Sequence, residues 1–498
     1  MSVVTRFWRR IWLGVLLLAV GRQPAAAALS PLPPAPPREF RAAWIPTVGN
    51  SAWPSKAGLT TAQQKAELLA ILDRAVALKL NAIILQVRPC CDALYASDLE
   101  PWSEYLTGVM GRAPWPYYDP LAFAVTEAHR RGLELHAWFN PFRAHHFQTV
   151  SPIAANHISR THPEYVRSYG KYLWLDPGDP AVRAYSLRVV MDVVKRYDVD
   201  GVHFDDYFYP YREKDAAGRP VDFPDNATWS RFGTPNLARA DWRRHNVDLF
   251  MEQAYHDIKA AKPWVKVGVS PFGIWRPKYP ATVTGLDAYD ELYADARKWL
   301  RVGWCDYLAP QLYWPTTSTG QNFAALLGWW QGENVLHRHV WPGLNTLKTD
   351  NGWPASEILN EIRLTRQAPD AGQIHWSVSA LMKNSALDAT LASDAYHQAA
   401  LIPASPWLDA RLPAPPKLAV TRRKTSLRAR WETGGEPPAC WLLQYQAGGA
   451  WNTQILPASQ SEFRLDDPAP DVLALRAVSR TGILSLPASW NRPGAAGH

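Results

Sequence analysis

The sequence predicts an α/β protein: a (β/α)8 TIM barrel followed by a small C-terminal β-sandwich. Three observations lead to this fold. Strand-like and amphipathic helical segments alternate eight times between residues 40 and 399. Polar side chains gather where several of the expected strands end. Beyond a Pro-rich joint at residues 413–416 the pattern changes to short alternating runs. A chain of 498 residues has room for one large domain and a smaller one.

The first 28 residues have the pattern of a secretory signal peptide. Arg6, Arg9 and Arg10 precede an apolar run at residues 11–20, and alanines at 25–28 supply the small residues that cleavage needs. The apolar run is too short to span a bilayer comfortably, and no cysteine near the cleavage point could carry a lipid. We therefore expect a periplasmic or secreted mature protein without a stable membrane span, beginning with a stiff Pro-rich linker at residues 29–38.

Composition narrows the classes of partner. The net charge is +8, but there is no Lys/Arg block or nucleic-acid motif, so we expect anionic surroundings such as an envelope polymer rather than nucleic acid. The 25 tryptophans suit stacking on sugar rings, although tryptophan also fills barrel cores. Cys90, Cys91, Cys305 and Cys440 do not have the spacing of a metal site, so we expect no metal, no other cofactor and at most one disulfide.

The barrel is expected to occupy residues 39–412. Strands are predicted at 40–47, 81–88, 133–140, 199–206, 265–272, 305–314, 339–346 and 374–381. Helices are predicted at 61–78, 119–131, 179–197, 241–261, 286–302, 323–330, 356–367 and 388–399. An open doubly wound sheet is the alternative, but no Gly-rich phosphate turn follows the first strand.

The tail, residues 413–498, contains no catalytic constellation. Its short runs at 417–420, 426–431, 441–445, 451–455, 461–465 and 472–478 predict the strands of an antiparallel β-sandwich.

Residues 197–211, YDVDGVHFDDYFYPY, hold the strongest functional signal. Alternate side chains of a barrel strand face the axis, so Val202 and Phe204 outside place His203 and Asp205 inside. Asp206 reaches the same space only if the strand has ended. The same parity turns these residues of the other strands inward: Gln86, Arg88, His136, Trp138, Asn140, Gly268, Ser270, Gln311, Tyr313 and Asn345. Barrel enzymes place their chemistry at the carboxyl ends of the strands, where these polar side chains are most frequent.

Several blocks then carry a resemblance. They are FRAAWIPT at 40–47, NSAWPS at 50–55, QVRP at 86–89, DALY at 92–95, EPWS at 100–103, AWFNPFRA at 137–144, WLDPG at 174–178, the 200–210 stretch, SPFGIWR at 270–276 and APQLYW at 309–314. In this order they resemble the glycosyl-hydrolase-like 10 family of exported bacterial proteins, over about residues 39–400. The tail resembles a fibronectin type III-like module less specifically.

The resemblance implies a (β/α)8 glycoside hydrolase. Because the characterised type of the family is a divisome-localised glycosidase, it also implies cleavage of peptidoglycan glycan strands stripped of stem peptides. Cell-division and envelope proteins are candidate partners beside the glycan substrate.

Glycoside hydrolysis requires an acid for the leaving oxygen and a group that meets the oxocarbenium-like carbon. We expect Asp205 and Asp206 to be the catalytic carboxylates, one as acid and the other as orienting group or base. Strand seven ends GLNT at 343–346, so it cannot supply a second Glu. Strand four loosely resembles the Asp-rich strand of chitinase-type barrels, where the N-acetyl group of the substrate attacks, but Tyr207 stands where such enzymes have their acid Glu.

The remaining candidates fall into three groups. Expected to hold sugar hydroxyls or a lactyl carboxylate are Arg88, Asp92, Asn140 and Arg143, with Gln311 and Asn345 as further polar contacts. Expected to stack on sugar rings are Trp138, Tyr207, Tyr209, Tyr313 and Trp314. Alternative second carboxylates on loops are Glu104 and Glu213.

Three other functions stay open on the sequence alone. One is a glycan-binding barrel without catalysis, which need not keep Asp205 and Asp206. Another is a metal-dependent polysaccharide deacetylase, for which His145, His146 and His203 are too scattered to form a convincing ligand set. The third is an α-glycosidase that acts on a different polysaccharide.

Overall fold

A computed structural model describes residues 33–423, 426–466 and 470–492. The predicted signal peptide at 1–28 and the first residues of the predicted linker lie outside the described residues. In the part of the chain that the structure describes, no helix combines the length and apolar character that crossing a membrane requires.

The large domain is a closed parallel barrel, as predicted. Its strands are Phe40–Ile45, Ala82–Arg88, Glu134–Phe139, Gly201–Phe204, Lys266–Val269, Tyr307–Leu308, His339–Val340 with Gly343–Leu344, and Gly372–His375. The two short segments are halves of strand seven: the first pairs with strand six and the second with strand eight. Strand eight in turn pairs with strand one, which closes the barrel.

Helices surround the barrel in the expected alternation. The principal ones are Thr61–Ala77, Pro120–Arg130, Pro180–Arg196, Arg239–Ala261, Ala288–Glu291, Ala296–Val302, Phe323–Glu333, Ala355–Thr365 and Ser385–Thr390, the last continuing as the π-helical turn Leu391–Ala395. Shorter helices are Glu104–Thr107, Ile158–Thr161, Asn226–Phe232 and Val378–Lys383, with 3-10 turns at Val48–Asn50, Pro163–Tyr165 and Thr346–Asn351. Asp119 and Asp179 cap two helices that begin with proline, a common helix start.

Two predicted elements differ from the structure. Residues 378–381, expected to extend strand eight, are helical because the Ser377 side chain accepts the amide of Ser379 and caps a helix. The helix expected at 286–302 is two helices, because Tyr293 has a φ of 54° and Asp295 starts a new helix as its N-cap. Short apolar runs suit both strand and helix, so caps and turns decide them.

The barrel interior is aromatic. Phe40, Trp44, Trp138, Tyr307 and Trp341 lie together inside it. Glycines in neighbouring strands give these rings their space: a Cβ on Gly268 would lie 1.9 Å from Cζ of Tyr307. A much larger apolar layer, built from the outward side chains of the strands and the inner faces of the helices, holds the two shells together.

A small antiparallel sheet is inserted after strand three. Its strands are Arg143–His145, Val166–Tyr169 and Tyr172–Leu175. The indole Nε1 of Trp174 donates to the carbonyl oxygen of Phe208 at 3.0 Å. The insertion therefore supports the segment that follows strand four.

The tail is a sandwich of two antiparallel sheets, as predicted. One contains Lys417–Arg422, Ser426–Glu432 and Glu462–Asp466, and the other Ala450–Pro457, Cys440–Ala447, Val472–Val478 and Ala488–Asn491. The last strand was not predicted. Leu427 and Trp431 of one sheet pack against Leu443 and Leu475 of the other. The likeness to fibronectin type III stays a prediction.

The tail docks where the barrel strands begin. Val478 and Leu442 form an apolar cluster with Leu401 of the barrel domain. Nearby, Arg480 Nη2 lies 2.6 Å from Asp198 Oδ2, just before strand four. Arg38, at the end of the predicted linker, donates to the carbonyl oxygen of Gly482 at 2.9 Å. The tail thus lies at the opposite end of the barrel from the carboxyl ends of the strands.

We expect Val478→Asp to separate the tail from the barrel, because a charge in this apolar contact is strongly unfavourable. The melting temperature should fall and proteases should cut at residues 413–416, while kcat/KM on a soluble glycan stays within about twofold. Leu486→Asp is the matched control, since Leu486 is 64% exposed. A large loss of activity in Val478→Asp below its melting temperature would contradict this separation of roles.

Candidate functional site

Both carboxylates of the predicted pair line one cavity at the carboxyl end of strand four. Strand four ends at Phe204, and the chain turns so that the Asp206 amide donates to Asp205 Oδ1 at 2.7 Å. Asp206 therefore enters the site. This agrees with the expectation that Asp206 reaches the cavity only if the strand ends before it. The cavity has a volume of about 180 Å3, and its lining residues are Trp44, Trp138, His203, Asp205, Asp206, Tyr207, Ser270, Gln311, Tyr313 and Trp376.

Asp205 is held by a chain of amide groups. Asn140 Nδ2 donates to Asp205 Oδ2 at 2.8 Å. Asn140 Oδ1 accepts from Gln86 Nε2 at 2.6 Å and from Arg143 Nη2 at 2.9 Å, while Gln86 Oε1 accepts the Thr47 amide at 2.8 Å. This network fixes the orientation of both amides. Each oxygen of Asp205 thus accepts a hydrogen bond, as a carboxylate can.

Asp206 is the proton-bearing member of the pair. Burial, together with the hydrogen-bonding contact and negative charge of Asp205, raises the pKa of Asp206 well above its usual range. The hydroxyl of Tyr211 donates to Asp206 Oδ2, and Gln311 also contacts the carboxyl group. Two buried carboxyl groups in contact cannot easily both ionise, so the pair favours the state in which Asp206 holds a proton and Asp205 accepts hydrogen bonds.

Aromatic rings form much of the remaining cavity wall. The Trp376 ring lies 5.9 Å from the ring of Trp44 and 6.2 Å from that of Trp138, in edge contacts. Tyr313 stacks on Trp376 at 6.3 Å with an interplanar angle of 29°. A cavity lined by both carboxylates and aromatic rings suits a sugar ring, which has apolar faces and polar edges.

The predicted site residues separate into three groups in space. Those that line the cavity are Asp205, Asp206, Trp138, Tyr207, Gln311 and Tyr313. Directly behind it lie Asn140 and Arg143. The Arg143 guanidinium donates to the carbonyl oxygen of Pro89 at 3.0 Å and lies 5.3 Å from the Tyr207 ring. Its donors are thus used to hold the site together.

Arg88, Asp92 and Tyr209 lie away from the cavity, contrary to the expectation that they touch sugar. Arg88 is fully buried against Glu100 and donates to the carbonyl oxygens of Asn140 and Pro141, because a register shift in strand two redirects it. Asp92 accepts the Cys90 amide, and burial raises the pKa of Asp92 to about 6. Tyr209 packs against Phe223 and Tyr293 in the core.

Four further candidates also lie outside the cavity lining. Trp314 packs edge-on against Phe272 at 5.6 Å, and Asn345 is the N-cap of the turn Thr346–Asn351. Glu104 accepts the amides of Val150 and Ser151 at 2.9 and 2.6 Å. Glu213 lies against Gly170. Neither Glu104 nor Glu213 is therefore placed as a second catalytic carboxylate.

Four lining residues had no role assigned from the sequence. His203 and Ser270 follow the inward parity, but no chemistry was attached to them. Trp44 shares its face of strand one with Phe40 and Ala42, so the same parity would have found it. Trp376 lies two residues after Ile374 of strand eight and four after Gly372, on the inward face. The predicted strand at 374–381 includes Trp376, but no inward residues were predicted for this strand.

Comparison with known proteins agrees with the geometry. The family model for glycosyl hydrolase-like 10 matches residues 39–352. The chain is 42% identical over 397 residues to glycosyl hydrolase YngK of Bacillus subtilis, covering 76% of each protein. It is 35% identical over 348 residues to glycosyl hydrolase DigH of Escherichia coli K12, covering 64% of this chain and 77% of DigH.

Among solved structures, the glycoside hydrolase domain of PgaB from Bordetella bronchiseptica aligns with a TM-score of 0.48 and 14% sequence identity, over 72% of this chain and 98% of that one. The family match spans most of the barrel, and the YngK alignment extends across three quarters of the chain. The chain therefore belongs to the glycosyl hydrolase-like 10 family and is a glycoside hydrolase.

Proposed function

We propose that this protein is an exported glycosidase that cleaves peptidoglycan glycan strands lacking stem peptides, with the acetamido group of the substrate as nucleophile. Export is proposed from the signal-peptide pattern of residues 1–28. The substrate is proposed from the chemistry of the cavity and from the family resemblance.

One observation carries the mechanism: Asp205 and Asp206 are in contact, and they are the only carboxylates among the described residues that line the cavity. Glycosidases with two catalytic carboxylates hold them about 5–5.5 Å apart when retaining and about 6.5–9.5 Å apart when inverting, so that the sugar lies between them. A pair in contact leaves the far face of the sugar without a protein nucleophile. A group on the substrate then has to attack C1.

The acetamido group at C2 of an N-acetyl sugar can supply that attack. Asp206, protonated, gives its proton to the glycosidic oxygen as the C1–O bond breaks and the acetamido carbonyl oxygen bonds to C1. Asp205 accepts the acetamido N–H and stabilises the positive charge that develops on the cyclic intermediate. Water then attacks C1, loses its proton to the Asp206 carboxylate, and restores the acetamido group with net retention.

The substrate class follows from this requirement. Both sugars of the peptidoglycan strand carry an acetamido group at C2. Trp44, Trp138 and Trp376 provide apolar surface for the ring and the acetyl methyl group. The cavity is smaller than the usual 300–1,000 Å3 of a ligand pocket and suits about one ring, so neighbouring sugars would lie on the open rim. Strands without stem peptides fit a site that encloses a single sugar.

The test is digestion of glycan strands from which an amidase has removed the stem peptides, with mass analysis of the products. We expect new reducing ends of fixed identity, and loss of cleavage when the glycan is chemically N-deacetylated. Strands that retain their peptides are the comparison. Cleavage of N-deacetylated glycan at the normal rate would disprove substrate assistance, and absence of cleavage of any denuded strand would disprove the peptidoglycan assignment.

We expect Asp206→Asn to reduce kcat by about 10²–10⁴-fold on denuded glycan, because the amide cannot protonate the leaving oxygen. Binding should change little, since the aromatic wall belongs to other strands. Asp215→Asn is the control, because Asp215 is a partly exposed carboxylate in the loop after strand four that bonds Arg219. Single-turnover kinetics and glycan binding measure the two effects separately. Normal turnover in Asp206→Asn would exclude it as the acid.

Asp205→Asn should move the alkaline limb of the kcat profile to lower pH. The acid works only while Asp206 is protonated, and the charge of Asp205 helps to raise the pKa of Asp206. Removing that charge lowers the pKa of Asp206, so activity is lost earlier as the pH rises. The maximum rate should also fall, because the acetamido group loses its charged partner. A pH–rate profile of residual activity tests the shift, and an unchanged alkaline limb would contradict the coupling.

A further inference from the structure

The barrel axis contains a continuous row of hydrogen bonds below the cavity. Trp44 Nε1 lies 3.1 Å from His203 Nε2, and His203 Nδ1 lies 2.9 Å from the Tyr307 hydroxyl. The same hydroxyl lies 2.8 Å from His136 Nδ1, and His136 Nε2 lies 3.0 Å from Glu134 Oε2. Glu134 Oε1 accepts from Lys266 Nζ at 2.7 Å. The row joins the cavity wall to the end of the barrel where the tail docks.

The groups at the two ends of the row determine which atom donates in each of its hydrogen bonds. An indole N–H can only donate, so His203 Nε2 has to accept. A carboxylate can only accept, so His136 Nε2 has to donate to Glu134. The proton of neutral His203 is then on Nδ1 and is donated to the Tyr307 oxygen, while the Tyr307 proton goes to His136 Nδ1. Each proton in the row has one acceptor.

We infer that Tyr307 is a positioning residue for glycoside hydrolysis: its hydroxyl fixes the tautomer of His203, which presents a bare Nε2 to the indole N–H of Trp44 and so holds that ring in the cavity wall. Tyr307 is fully buried on strand six, outside the cavity lining. It therefore acts through His203 and Trp44 rather than on the sugar. The inference rests on the cavity being the site of hydrolysis.

Packing holds the rings of Tyr307, His136 and His203 in these hydrogen-bonded positions. The Tyr307 ring occupies the space of a side chain at Gly268, and His136 lies against Gly201, where a Cβ would be 2.6 Å from the His136 ring. Tyr307 also stacks on His203, with ring centres 5.8 Å apart and an interplanar angle of 21°. The rings cannot shift sideways, so the protons alone decide which nitrogen is bare.

The surroundings of His203 favour its neutral form. Burial, with the imidazole of His136 adding to it, lowers the pKa of His203 well below its usual range. The titratable groups that face His203 are Asp205 and Asp206 along its own strand, His136 from strand three and Tyr307 from strand six. A neutral imidazole also keeps positive charge away from Asp206, which has to retain its proton.

The experiment compares Tyr307→Phe with Tyr95→Phe in the full-length protein. Tyr95 is also fully buried, but its hydroxyl has no hydrogen-bond partner among the described residues, so its removal breaks no such bond. The nitrogen-15 shifts of labelled histidine report the tautomer of His203, whose signals are assigned with a His203→Gln sample. kcat/KM is measured on a denuded glycan strand.

In Tyr307→Phe the indole N–H of Trp44 still requires a bare Nε2, so we expect the tautomer to persist and kcat/KM to fall about tenfold, the effect of the buried His203 Nδ1–H left without an acceptor. In the double variant Trp44→Phe/Tyr307→Phe neither neighbour constrains His203, so we expect both tautomers. Tyr95→Phe should match the wild type in both. In Trp44→Phe the tautomer should persist, because Glu134 still sets the direction through Tyr307. A single tautomer in the double variant, or a change of tautomer in Trp44→Phe alone, would overturn the inference.

A further variant applies if Tyr307→Phe does not fold. Glu134→Gln combined with Trp44→Phe removes both ends that fix the direction of the row, so His203 should again populate both tautomers; a single tautomer there would overturn the inference. The shifts need no substrate, so they separate failure of this inference from failure of the proposed function. A normal kcat/KM in Tyr307→Phe would disprove the positioning role.

Discussion

The structure depends on fitting large rings into a narrow barrel. Protein interiors are packed nearly as densely as organic crystals. Each ring therefore needs a residue without a side chain next to it on a neighbouring strand. Tyr307 lies over Gly268, His136 over Gly201, and Trp44 close to Gly343. These glycines leave room for polar aromatic side chains along the barrel axis, where each can form a hydrogen bond with the next. Asp205 and Asp206 then stand on a rigid aromatic base rather than on a flexible loop, which is the arrangement that precise positioning needs.

Rigidity below the cavity is matched by polar support beside it. Asn140, Gln86 and Arg143 share their hydrogen bonds so completely that the orientation of each amide is determined. Arg88, which is too deeply buried to reach sugar, holds the backbone that carries Asn140 through two carbonyl oxygens. The chain thus uses charged residues near the site chiefly to fix neighbours, and it leaves Asp205 and Asp206 as the carboxylates that face the cavity.

The sequence predicted the directions of the site side chains only as far as the regular strands extend. Inside the ladder, parity placed Trp138 and His203 correctly, because alternation follows from the backbone itself. Beyond the last paired residue it no longer applied: the turn after Phe204 brings both Asp205 and Asp206 to the cavity and sends Tyr209 into the core. A register shift in strand two redirected Arg88, and nothing in the local residue pattern announces such a shift. Trp376 was missed because parity was not applied to strand eight, whose apolar run after residue 376 is compatible with either secondary structure.

The contacts between the two ends of the described chain have a consequence for the order of folding. Arg38 is held by the carbonyl oxygen of Gly482, and Gln444 donates to the carbonyl oxygen of Pro34. Strands one and eight can pair without the tail, but these two bonds beside their starting edge form only when the tail has docked. A chain whose barrel closes first therefore lacks them. In that intermediate the seam between the first and last strands is less supported than in the finished fold.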